Sequence, residues 1–67
     1  MDKKEFMDLY YEYLNNGFEK MDIELKNGST IIHNPGVKVH FLEDILCIVD
    51  KGLIVNVSYS EIERIAI

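Results

Sequence analysis

The chain has a single cysteine, Cys47, so an internal disulfide is excluded. With one proline, Pro35, and four glycines, it carries no linker and no low-complexity segment. Basic residues are scarce: seven lysines and arginines stand against twelve carboxylates, for a net charge of −5. No basic cluster is longer than Lys3-Lys4. Phosphate-backbone binding depends on Lys and Arg displacing counterions, so nucleic acid and anionic membrane are disfavoured as partners. No apolar run is long enough to span a bilayer and no signal-peptide pattern opens the chain. The expectation is a cytoplasmic protein. No Gly-rich phosphate loop, nucleophile elbow or Walker-type motif appears.

What the chain does have is apolar content, 48% over 67 residues. That length predicts one domain, 1–67, near the lower size at which a single core suffices. Such a domain buries only about 60% of the surface its unfolded chain exposes. Small domains are usually supplemented by disulfides, a metal or association. Association is the supplement expected here, and a homo-oligomer follows from it.

Residues 2–16 read as a helix. Asp2 and Glu5 have the spacing of a capping box, and Asn16-Gly17 is a fitting stop. At about 100° per residue, Phe6, Met7, Tyr10, Tyr13 and Leu14 share one side, flanked by Leu9 and Tyr11. Glu5, Asp8 and Glu12 form an acidic strip opposite. One reading is a lid over the open end of a small barrel. The other adds Tyr10, Tyr11 or Tyr13 to a partner contact, because Tyr is enriched at interface hot spots.

After Phe18 the period changes to alternation. Strands are expected near 19–26, 29–33 with a continuation at 37–42, 45–50, 53–58 and 62–67. In Met21-Asp22-Ile23-Glu24-Leu25-Lys26, apolar and charged residues alternate, and Asn27-Gly28 predicts a two-residue type I′ turn. That turn sets Leu25 opposite Thr30 and Ile23 opposite Ile32, which buries Ile32 and leaves His33 on the solvated face with Asp22 and Glu24. Asn34-Pro35-Gly36 interrupts the second strand as a bulge, corner or short loop. Glu43-Asp44, Asp50-Lys51-Gly52 and Tyr59-Ser60-Glu61 are the remaining turns.

Two stretches resemble the motifs of the Sm-like branch of the SH3-like barrels. Met21 to Ile31, with Leu25-Lys26-Asn27-Gly28 at its turn, is similar to the first motif. Val57 to Ile67 is similar to the second, a strand, a short turn and an isoleucine-rich final strand. The resemblance implies a mainly β fold, a five-stranded, strongly bent antiparallel barrel at about 18–67 behind one N-terminal helix. It also implies ring assembly by edge pairing of the last two strands. Leu53, Val55, Val57, Ile62, Arg64 and Ile65 are the edge residues it points to. The family's RNA-binding positions are not matched: Phe41-Leu42-Glu43-Asp44 and Tyr59-Ser60-Glu61 place carboxylates where phosphate would approach.

Chemistry-bearing residues are sparse. His33, His40 and Cys47 match no zinc-finger or knuckle spacing, so no metal and no cofactor are expected. Ile45-Leu46-Cys47-Ile48-Val49 predicts a buried, inert thiol, which discounts a Cys–His nucleophile. Glu43-Asp44 and Glu61/Glu63 read as turn and surface carboxylates rather than an acid–base pair, and no enzymatic activity is expected. The functional expectation is a small acidic, self-associating protein-interaction module. Its partner face combines Glu5, Asp8, Tyr10, Tyr11, Glu12 and Tyr13, complementary to a basic protein. One form is an inhibitor masking a basic nucleic-acid site, as small viral or mobile-element proteins do. The alternatives are small-ligand or nucleotide sequestration between subunits, and Sm-like RNA binding.

Overall fold

The structure is a computed structural model and describes residues 1–67. It is mainly β with one N-terminal helix. The elements are α1 (Lys3–Asn15), β1 (Met21–Leu25), β2 (Thr30–His33), β3 (Lys38–Phe41), β4 (Ile45–Asp50), β5 (Leu53–Ser58), a 3₁₀ turn (Tyr59–Glu61) and β6 (Ile62–Ala66). They form two three-stranded antiparallel sheets, ordered β2-β1-β6 and β3-β4-β5. Neither sheet closes on itself. No helix is long and apolar enough to cross a membrane.

Both ends of α1 are fixed by local hydrogen bonds. The Glu5 N–H donates to Asp2 Oδ1 at 2.8 Å and the Asp2 N–H to Glu5 Oε1 at 3.4 Å, a reciprocal capping box. At the other end Phe18 N–H reaches Tyr13 O and Gly17 N–H reaches Leu14 O, with Gly17 at φ +71°. That is a Schellman termination, and the positive φ is why glycine stands there. The helix buries Phe6 and Tyr10; Met7, Leu9 and Tyr13 are half-buried, and Leu14 is exposed.

The first hairpin turns differently from the expectation. Gly28 N–H donates to Leu25 O at 3.0 Å and Leu25 N–H to Ser29 O at 2.8 Å. Only Gly28, not Asn27, has positive φ. The loop is therefore three residues, a type I turn followed by a glycine bulge. Asn27 Oδ1 secures it by accepting from the Ser29 N–H and hydroxyl at 2.8 and 2.6 Å. The extra loop residue slips the register by one: Ile23 faces Ile31, and Met21 faces His33. Ile32 is consequently exposed, and His33, expected on the solvated face, is buried at 1% exposure. The type I′ turn lies at Lys51-Gly52 instead, where both residues have positive φ.

The expected continuous second strand is two strands in different sheets. Val37 N–H donates to Asn34 O at 3.2 Å and Gly36 has φ +98°, the geometry of a type II Pro-Gly turn. The turn ends the β2 ladder and starts β3 in the other sheet, which gives six strands in place of five.

Ten residues form the core: Phe6, Tyr10, Met21, Ile23, Leu46, Ile48, Val57, Tyr59, Ile62 and Ile65. Every layer contributes, so the two sheets and the helix enclose a single apolar cluster. Ile54 and Ile67 remain outside it.

The register carries a direct test. Ile23→Ala is expected to cost about 2–5 kcal/mol in urea unfolding, as a fully buried truncation does. Ile32→Ser is expected to stay within about 0.5 kcal/mol of the parent, as an exposed substitution does. Comparable losses at the two positions would contradict the slipped register.

Candidate interaction surfaces

β5 is an edge strand, since its sheet ends there. Its sequence, Leu53-Ile54-Val55-Asn56-Val57-Ser58, holds no charge and no proline. Alternation sends Val57 into the core and, with it, Leu53 and Val55 to the same face; Ile54 and Asn56 face outward. The core ends before it reaches the first half of the strand. Leu53, Ile54 and Val55 are accordingly 73%, 65% and 43% exposed, on both faces of one open edge. Native edges are normally blunted by charge, proline, a bulge or a covering element, and this one has none of them.

β6 is the edge of the other sheet and is differently equipped. Ile62 and Ile65 are buried, so these expected edge residues serve the core, as Val57 does. Glu63 and Arg64 are exposed, and Arg64 Nε donates to Glu24 Oε2 at 2.6 Å. Charges therefore guard this edge.

The outer face of the β3-β4-β5 sheet continues the uncharged surface of β5. It presents His40, Cys47 and Asn56 in one cross-strand row, because His40 pairs with Cys47 and Cys47 with Asn56. Ile45, Val49 and Ile54 surround the row, and Lys38 is its only charged residue. Cys47 is half-exposed, not buried: Leu46 and Ile48 take the core positions on β4, and no layer covers the opposite face. No group of three or more His, Cys, Asp or Glu side chains is gathered to hold a metal ion.

The helix divides the expected partner patch. Glu5, Asp8 and Glu12 are exposed, and Lys4 Nζ donates to Asp8 Oδ2 at 2.9 Å. Asp8 in turn holds the Lys4 ammonium above its ordinary pKa. Tyr10 belongs to the core, and burial raises its phenol pKa. Tyr13 is half-buried, and Tyr11 alone is well exposed, its ring 5.8 Å from Phe41. Glu43 and Asp44 are exposed at the β3–β4 turn; with Asp2, Glu5, Lys3 and Lys26 they rim an open, shallow depression of about 740 Å³.

His33 lies where α1 meets β2. Its Nε2 is 3.4 Å from the Tyr10 hydroxyl, and its ring is 5.4 Å from that of Phe18. Nδ1 is buried with no hydrogen-bond partner. The adjoining cleft, about 210 Å³ between Leu14, Phe18, Pro35 and Val37, has no charged lining. Burial lowers the imidazole pKa from 6.5, opposed only by the residue's own backbone. Sequence alternation missed this position because a one-residue slip exchanges the faces of the whole strand.

A consequence follows for acid stability. Between pH 6.5 and the lower folded value, the unfolded chain binds a proton that the native protein does not. The His33 contribution is thus fully present above pH 6.5 and is lost as the pH falls through that window. Urea unfolding from pH 7.5 to 5 is expected to show a steeper loss for the parent than for His33→Phe; equal slopes would contradict the neutral, buried assignment. No family model, curated protein or solved structure matches this chain, and its surfaces alone carry the functional reading.

Proposed function

We propose that the protein is a non-enzymatic interaction module that self-associates through its β5 edge. The observation that carries this reading is the uncharged, uncovered β5 edge with Leu53, Ile54 and Val55 in solvent. An open edge offers its unpaired N–H and C=O groups as a template for another strand, and exposed apolar side chains add burial to that pairing. In a chain of net charge −5, the absence of carboxylates on β5 lets two copies approach there without juxtaposing like charge. The strand order β6-β1-β2, turn, β3-β4-β5 is compatible with an Sm-like barrel bent at Asn34-Pro35-Gly36, and that kinship is part of the proposal. The acidic surface supports the second half of the reading, a basic protein partner met by Glu5, Tyr11 and Glu12.

Light scattering coupled to size exclusion tests the association. The parent is expected to run as a multimer whose mass falls on dilution. Ile54→Lys is expected to run as a folded monomer, since it places a charge on the edge without touching the core. A parent monomeric at millimolar concentration would contradict the proposal.

A further inference from the structure

We infer that two copies of this chain join β5 to β5 about a two-fold axis, antiparallel, fusing the two β3-β4-β5 sheets into one continuous six-stranded sheet. This rests on the self-associating reading above and specifies its geometry. A strand edge in antiparallel pairing is complementary to itself: each outward N–H meets a C=O of the identical strand. A two-fold axis perpendicular to the sheet also keeps core face with core face.

The faces restrict the register. Directly opposed residues share a face, so the axis must pass through a residue of β5. Centred on Val55, it pairs residues 53–57 of both strands. Leu53 then meets Val57 of the second copy, Ile54 meets Asn56, and Val55 meets Val55. All three exposed apolar residues are covered. Centred on Ile54, the pairing would run into the Lys51-Gly52 turn after residue 53; centred on Asn56, it would leave Leu53 against the 3₁₀ turn.

Charge agrees with this arrangement. Lys51 precedes β5 and Glu61 follows it, both exposed. The antiparallel pair lays each Lys51 alongside the second copy's 3₁₀ turn, within lysine reach of Glu61, so two symmetric ion pairs flank an uncharged centre. Pairing β5 with β6 would instead bring Glu63 and the Glu24-bound Arg64 against an apolar strand.

Disulfide trapping in the full chain distinguishes these geometries, because only a two-fold places a residue against its own copy. In a Cys47→Ser background, Val55→Cys is expected to form a covalent dimer under mild copper–phenanthroline oxidation. Ile54→Cys and Asn56→Cys are expected to cross-link when mixed and poorly when alone. Ile32→Cys, exposed on β2, gives the collisional background. Lys51→Glu is expected to weaken dimerisation about tenfold, and Glu61→Lys to restore it, as two exposed ion pairs would. Cross-linking at background level in a chain that light scattering shows to be multimeric overturns the two-fold geometry alone. A monomeric chain overturns it together with the reading on which it rests.

Discussion

The stacked rings of Phe6 and Tyr10 are the contact through which the layers of this protein meet. Their centroids are 6.1 Å apart. Phe6 reaches Phe41 on β3 and Tyr59 in the 3₁₀ turn, at 5.9 and 6.1 Å, and Tyr10 reaches His33 on β2 at 5.5 Å. One helical face thereby touches both sheets and the 3₁₀ turn, an aromatic corner between them. Aromatic side chains bury about 150–250 Å² each and dominate the energetics of small cores. In a chain with no disulfide, this aromatic corner joins the two open sheets. Tyr59 extends it by donating its hydroxyl to Leu42 O at 2.9 Å, tying the 3₁₀ turn to the β3–β4 turn.

Committing the only helix to that corner has a cost at the other end of the second sheet. No other element of residues 1–67 pairs with the outer edge of β5, and the ten-residue core ends before its first half. Elsewhere the protein meets exposed β-surface with charge: Glu24 and Arg64 face each other across β1 and β6, and Asp22 lies beside Lys20. β5 and the outer face around Cys47 have no such ladder. The contrast within one small acidic chain is the physical basis for reading this surface as a place where a second strand belongs.

Much of this was legible in the sequence, and the failures share a cause. The helix ends could be read because Asp2, Glu5 and Gly17 act on neighbours within a few residues. Strand positions followed from alternation, and the uncharged β5 edge from composition. The register of the first hairpin was not legible, because Asn27-Gly28 serves both a two-residue turn and a type I turn with a glycine bulge. The choice depends on the Asn27–Ser29 hydrogen bonds and on which strand face meets the helix, neither of which alternation records. That one residue decided the placement of Ile32 and His33. Cys47 was misplaced for a related reason: an unbroken apolar run cannot say whether both faces of its strand are covered. The helical projection separates Tyr10, on the apolar side, from Tyr11 at its flank, but not Tyr10 from Tyr13, which the packing leaves half-buried.

The account depends most on β5 acquiring a strand neighbour that the isolated chain lacks. Amide hydrogen exchange across a dilution series measures this directly, because alternate amides of β5 point away from β4. Those amides are expected to exchange slowly at high protein concentration and fast at low concentration, while the paired amides of β1 do not change. Fast exchange of the outward β5 amides at every concentration would contradict the account.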